Sequence, residues 1–453
     1  MEVLYRCCAG LDVHKKTVVA CRICTLPNGQ KQQEIATFGT TTPELLRLLD
    51  WLREGGCTHA AMESTGEYWK PVYYVLEGHL ELLLVNARHL QAVPGRKTDV
   101  KDAEWIADLL RHGLLKASFV PPRAQRDLRD LTRQRTKLVE EHARVVNRVQ
   151  KVLESANIKL ASVATDINGV SGRAILAELA AGQADPVVLA ELARGRMREK
   201  REELQAALTG CIREHHRFLL TQHLEHLEFL EEQIEQFSER IAARIDALSG
   251  PSAPPNLSGD RSLAETPSAA GREEPRGHGS APAPLSFRQA VAWLDPIPGV
   301  DERVAEKVLA ELGTDMRQYP TARHVASWAG LAPGNYESAG KRYAGKTPPG
   351  NAALRKTLVQ AAHGAIRTKE SYFGALYRRV KTRRGEKRAI VAVAHALLGV
   401  IYHLLLWQEP YQELGAHYLD AQQPEKMAKR LVARLTLLGY DVNIAPRPAL
   451  EAA

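Results

Sequence analysis

Cysteine is scarce in this sequence: six in 453 residues, namely Cys7, Cys8, Cys21, Cys24, Cys57 and Cys211. That count excludes a disulfide-stapled miniprotein. The six sit in apolar or helical stretches with no signal peptide ahead of them, which predicts free thiols in a reducing cytosol. Cys21 and Cys24 have the spacing of half a zinc site, but no second pair follows. Long apolar runs are also rare. The exception, residues 389–407, approaches the roughly 20 residues of a membrane span. It stands alone and carries His395, Gly399 and His403, so the expectation is a buried helix and no membrane. With 44% hydrophobic residues, wholesale disorder is excluded as well. At roughly 150 residues per domain, the length suggests about three units.

What the chain does have is a concentrated positive charge. Overall there are 61 Lys and Arg against 53 Asp and Glu, a net charge of +8. Residues 335–390 alone hold fourteen Lys or Arg and three acids, Glu337, Glu370 and Glu386, with Tyr336, Tyr343, Tyr372 and Tyr377 interleaved. Most charge runs are solvated faces, but so local an excess favours contact with phosphates. Lys341, Arg342, Lys346, Asn351, Arg355, Arg378, Arg379, Arg383 and Arg384 are the candidate contacts.

Hydrophobic periodicity divides the chain. Residues 1–125 read as strand, strand, strand, helix, strand, helix, strand, helix. The first helix starts at Thr42–Pro43, presents Leu45, Leu46, Leu49 and Leu52, and ends at Gly55. In residues 126–248, apolar positions at Leu128, Leu131, Leu138, Val145, Val149 and Val152 share a seam with Arg135 and His142. Leu227, Leu230, Ile234, Phe237, Ile241 and Leu248 repeat the rhythm. Two long coiled-coil helices fit this pattern, and so do amphipathic helices packed on their own domain. Residues 249–285 read as a flexible linker, since half of positions 249–284 are Pro, Gly or Ser. A basic helical module follows at 286–412, then a helical tail at 413–453.

The acids fall where a ribonuclease-H-like fold needs them. Asp12 lies in a first strand within GLDVHK, Glu63 ends a later strand in AMESTG, and Asp99 and Asp102 open a helix in KTDVKDA. Residues three apart on a helix share a face, so Asp99 and Asp102 can point together at the strand ends. Carboxylate oxygens suit Mg²⁺, and two ions about 4 Å apart serve phosphoryl transfer. Singly, any of these acids is better explained as a cap or a solvated charge. His14, beside Asp12, reads as structural or as a phosphate contact. Downstream, LDPIPGVDERVAEKVLAELG fits a helix-hairpin-helix, in which the turn at Gly299 and the next helix N-terminus grip phosphates; a plain turn between packed helices fits it too. Ser338 stands in a Gly-rich loop before Lys341, Arg342 and Lys346, with Asn351 and Arg355 opening the next helix. A hydroxyl there can attack a phosphate beside cations, although serines in such loops are usually turn formers.

GLDVHK, MESTG and KTDVKDA, followed by the helix-hairpin-helix, GLAPGNYESAGKR and GNAALRK, resemble the IS-one-ten family of insertion-sequence transposases, also called DEDD transposases or bridge-RNA recombinases. The resemblance covers residues 5 to about 160 and 286–411. It implies an α/β plus α architecture: an N-terminal RuvC-like domain, a helical coiled-coil middle and a C-terminal helical transposase domain. It implies that Asp12, Glu63, Asp99 and Asp102 hold Mg²⁺, as two ions with no nucleotide cofactor, and that Ser338 is a nucleophile forming a phosphoserine–DNA link. The implied partners are donor and target DNA and a structured guide RNA. A dimer to tetramer built through the coiled coil and a cytoplasmic, nucleoid-associated location are also implied. Two other functions fit the residues: a RuvC-like junction nuclease using water as nucleophile, and a non-catalytic nucleic-acid scaffold. The Pro-rich stretch departs from the compact helical middle that the family implies.

Overall fold

The computed structural model describes residues 2–26, 30–64, 66–86, 102–249, 283–338, 341–344, 347, 350–422 and 424–443. The chain forms two compact units, Met1–Pro121 and Pro122–Ala453.

In the first unit β1 (Cys7–Val13), β2 (Thr17–Thr25) and β3 (Lys31–Gly39) form an antiparallel meander. Helix α1 (Thr42–Glu54), β4 (His59–Glu63), α2 (Trp69–Leu76), β5 (Glu81–Val85) and α3 (Asp102–Arg111) follow, in the predicted order. Strand β4 joins β1 in parallel and β5 joins β4, giving the order β3-β2-β1-β4-β5. Side chains alternate across a strand, and β1 shows the consequence. Ala9, Leu11 and Val13 enter one core with Leu45, Leu48, Leu52, Val72 and Leu76 of α1 and α2. Cys8, together with Ala61 and Val85, meets Ile106, Leu109 and Leu110 of α3 on the opposite face. The buried stripe of α1 is Leu45, Leu48, Leu49 and Leu52, whereas Leu46, expected on it, is exposed. Helical geometry explains the exchange, because 45, 48, 49 and 52 keep the 3.6-residue period and 46 leaves it.

The second unit opens with α4 (Arg123–Ser155), continues through α5 (Leu160–Val163), α6 (Val170–Ala181), α7 (Pro186–Glu191) and α8 (Arg201–Leu208), and returns along α9 (Glu214–Ser249). Helices α4 and α9 run antiparallel, as shown by bonds from Arg244 to Asp127 (2.6 Å), Arg135 to Ser238 (3.4 Å) and His142 to Glu231 (2.9 Å). The two polar seam positions, Arg135 and His142, therefore set the register. Val145, Val149, Val152 and Leu153 share one core with Leu220, Leu227 and Leu230. Each long helix thus finds an apolar partner within the chain.

Helices α10 (Phe287–Leu294), α11 (Glu302–Leu312) and α12 (Ala322–Trp328) come next. After them stand β6 (Asn335–Ser338) and β7 (Lys341–Ala344), a β-hairpin where a Gly-rich loop is expected within a helical module. Helices α13 (Ala352–Ala365), α14 (Tyr372–Arg384), α15 (Glu386–Trp407), α16 (Tyr418–Ala421) and α17 (Pro424–Leu437) complete it. Among the described residues α15 alone is long and apolar enough to cross a membrane. Ala389, Val393, Leu397, Leu398 and Ile401 are each 0% exposed along it, so its apolar content builds this unit's core.

The expected linker, 249–285, lies mostly outside the described residues. Its two flanks meet: the Arg288 amide donates to Ser249 Oγ at 2.9 Å, and the Arg288 guanidinium pairs with Asp246. Helices α9 and α10 are therefore neighbours in one compact unit.

Candidate active site

The register of β1 on β4 pairs Leu11 with Met62, so Asp12 and Glu63 are the next residues on adjacent parallel strands. Neighbouring strands lie about 4.8 Å apart. Both acids occur in the alternation phase opposite Leu11 and Met62, which face α1 and α2. They therefore belong to the α3 face, at the C-terminal ends of their strands.

Helix α3 brings a third carboxylate to that edge. A Cβ on Gly10 would lie 2.2 Å from the Ala103 carbonyl oxygen and 2.4 Å from the Ala107 nitrogen, so glycine is what lets the helix backbone lie directly on β1. Cys8 Sγ donates to the Ala107 carbonyl at 3.7 Å. The helix thus runs from the end of β1 toward its start, and its first residue, Asp102, stands at the end that carries Asp12. Negative charge is favourable at a helix N-terminus. Asp99 lies outside the described residues. His14 Nε2 lies 3.0 Å from Asp12 Oδ2, a contact consistent with the structural alternative for that residue.

Among the described residues no three His, Cys, Asp or Glu side chains close around one point as a metal cage. The Cys21–Cys24 half-site gains no further ligand. Cys21 is buried, Cys24 Sγ donates to the Gly55 carbonyl at 3.1 Å, and burial pushes both thiols up to about 12. Asp12, Glu63 and Asp102 do not form such a cage either, but they stand at one sheet edge with hard oxygens of the kind Mg²⁺ takes.

In the second unit Ser338 is the last residue of β6 and pairs with Lys341, the first of β7. It thus stands at the turn of a β-hairpin rather than in an irregular loop. Tyr336 pairs with Tyr343 and Glu337 with Arg342, an alternating pattern that suits strands. Lys346 lies outside the described residues.

The segment in which a helix-hairpin-helix is expected runs from the end of α10 through the turn at Gly299 into α11. Gly299 has φ +80°, and a Cβ there would meet the Ala361 carbonyl oxygen at 2.2 Å and the Ala365 nitrogen at 2.5 Å. The hairpin is thus pressed onto α13, which by itself accounts for glycine. Asp301 caps α11 by accepting from the Val304 amide at 2.7 Å.

The candidate cations divide into two groups. Arg378, Arg383 and Arg384 are exposed, and Lys381, Lys387 and Arg388 join them around the Gly385 turn between α14 and α15. Arg355 is half-buried in the first turn of α13. Arg379, partly exposed, donates to the Leu419 carbonyl at 3.1 Å. Asn351 is engaged at both ends of its side chain: Oδ1 accepts from the Leu354 amide (3.1 Å) and Nδ2 donates to Glu311 (2.6 Å).

Glu311 escaped the sequence reading. It is almost fully buried and also receives Arg129 and Arg133 of α4. A signal was present, in retrospect: Glu306 and Glu311 interrupt the apolar face of α11, and α4 carries arginines able to match them.

A transposase family model matches residues 9–158, and a second, described as the IS116/IS110/IS902 family of transposases, matches residues 291–378. The first match contains all four acids and the second contains Ser338. Over 123 residues the chain is 32% identical to the transposase for insertion sequence element IS1111A of Coxiella burnetii, a stretch covering 26% of this chain and 34% of that protein. The chain therefore matches about a third of the length of that curated relative.

Proposed function

The chain belongs to the IS116/IS110/IS902 family of transposases, and from that premise we propose that it cuts and rejoins DNA strands to move a mobile element, with Ser338 as nucleophile. The observation that carries this reading is the placement of Asp12, Glu63 and Asp102 at one sheet edge, in a chain whose other matched segment places Ser338 at the end of a hairpin strand. The unit bearing the acids is read as RuvC-like, from its strand order and the position of its carboxylates.

In this account the Ser338 hydroxyl loses its proton as its oxygen bonds to phosphorus. A phosphodiester P–O bond breaks, and the departing deoxyribose oxygen takes up a proton. The phosphate stays esterified to Ser338, so the reverse attack by a deoxyribose hydroxyl rejoins a strand without ATP. Asp12, Glu63 and Asp102, with Asp99, would hold Mg²⁺. Bound there, the ion supplies positive charge to the phosphate oxygens. Arg378, Arg383 and Arg384, exposed on α14, neutralise backbone phosphates of DNA or of a structured guide RNA, a contact that positions nucleic acid without reading its sequence.

Two observations test this function together. RNA that copurifies with the protein should sequence to one discrete structured species, and the protein with that RNA and Mg²⁺ should join labelled element ends to a target duplex. Cleavage to free ends with no joined product, and no defined RNA, would instead identify a water-using nuclease.

A further inference from the structure

The hairpin that carries Ser338 leaves the helical body and returns to it at a single point. On the outgoing side the Leu331 and Ala332 amides both donate to the Ala326 carbonyl, at 2.8 and 3.1 Å, turning the chain off α12. On the returning side the Asn351 amide donates to the Trp328 carbonyl at 2.8 Å, and Gly350 packs so closely that a Cβ there would lie 2.3 Å from the Gly330 nitrogen. The chain on the two sides of the Ser338 hairpin, at Ala332 and Gly350, is therefore held together at one root.

The Asn351 side chain locks that root from behind. Its Oδ1 caps α13, and its Nδ2 donates at 2.6 Å to Glu311 Oε2. Glu311, with a side chain 4% exposed, is itself immobilised: Arg133 donates to both its oxygens at 2.6 and 3.0 Å, and Arg129 Nε lies 3.1 Å from Oε2. Arg129 also donates to the Glu311 backbone carbonyl at 2.7 Å. A buried carboxylate with this many donors has one low-energy orientation, because losing any partner leaves charge unpaired in a low dielectric. That orientation runs from α4 through Glu311 to the foot of the hairpin.

We propose that Asn351, held by Glu311 against Arg129 and Arg133, is a positioning residue that fixes the root of the Ser338 hairpin, rather than a nucleic-acid contact. This rests on the reading of Ser338 as nucleophile. Misplacing a reacting group by about 1 Å can cost on the order of 100-fold in rate, so a loosened clasp acts on turnover more than on binding.

The test begins with Asn351→Ser. Serine caps a helix about as well as asparagine, but it is too short to span to Glu311. The rate of serine–DNA adduct formation at saturating DNA should fall about 10- to 100-fold, with half-saturation unchanged and the fold kept, its melting temperature somewhat lowered, because Arg129 and Arg133 still pair with Glu311. Hydrogen exchange in peptides covering 332–349 should quicken while the rest of the chain keeps its protection. Asn351→Asp retains the cap but sets two carboxylates face to face, so it should be at least as slow. Adding Glu311→Gln to it should recover much of the rate, since the new amide donates to the new carboxylate. An unchanged rate and exchange in Asn351→Ser would overturn the proposal. So would a raised half-saturation at constant rate, which marks a nucleic-acid contact, or a double variant no faster than Asn351→Asp. If the wild type forms no adduct while Asn351→Ser still quickens exchange, the nucleophile reading fails and the clasp stands.

Discussion

Arg135 and Glu306 meet at 2.5 Å with side chains 2% and 7% exposed, joining the long helix α4 to α11 inside the second unit. Each charge depends on the other, because water cannot reach either. Removing one partner alone, by Arg135→Met or Glu306→Gln, should destabilise the fold by about 3–5 kcal/mol in denaturant unfolding. Replacing both with apolar side chains of similar volume should restore most of that loss. A single variant as stable as wild type would show that the pair is solvated.

The second unit should survive a cut in its Pro-rich segment. Ser249 and Arg288 are hydrogen-bonded across it, and α10 packs on α9. Proteolysis anywhere in 250–282 should yield two fragments that co-elute at the intact mass on gel filtration. Fragments that separate without denaturant would mean that the segment joins independent domains.

Charge at the sheet edge should matter more than shape. Asp12→Asn, Glu63→Gln, Asp99→Asn and Asp102→Asn each preserve volume while removing a hard anionic ligand. All four should bind nucleic acid as wild type does and fail to cleave. Mg²⁺-dependent cleavage at the wild-type rate by any two of them would remove the edge from the chemistry.

Nucleic-acid binding should weaken steeply with salt. If six to ten phosphates are contacted, affinity should drop by on the order of 10³ to 10⁵ between roughly 50 and 200 mM salt. Arg384→Ala, at an exposed position, should reduce the log–log slope by about one. Arg379→Ala should leave it unchanged, since that side chain is turned to Leu419. Equal slopes for all three proteins would mean that the basic run is solvated in the complex.

Much of the first unit was legible in the sequence. Its strands alternate and its helices carry caps and a 3.6-residue stripe, so the order of elements follows from local pattern, and the acids fall at the strand ends that the pattern defines. Leu46 was misplaced because neighbouring leucines do not reveal the phase of their helix until it packs. The partners of α4 and α9 were not legible, since a heptad seam is the same whether its mate lies in the same chain or another. Arg135 and His142 acquire meaning only once Ser238 and Glu231 are seen opposite them. The Ser338 hairpin was obscured by its glycines, which signal turns more strongly than four-residue strands signal pairing. An Asn at a helix N-terminus beside Arg355 fits a phosphate contact equally well, so the sequence does not reveal what holds Asn351. Its engagement with Glu311 depends on a contact between residues forty positions apart.

If Ser338 is the nucleophile, its oxygen becomes covalently joined to DNA. Wild-type protein stalled on a nicked or mismatched site should carry DNA that survives boiling in detergent, with mass spectrometry locating the phosphate on the peptide containing Ser338. Ser338→Ala should give neither adduct nor cleaved strand. Free ends released by Ser338→Ala, with no adduct in either protein, would contradict the account and leave water as the nucleophile.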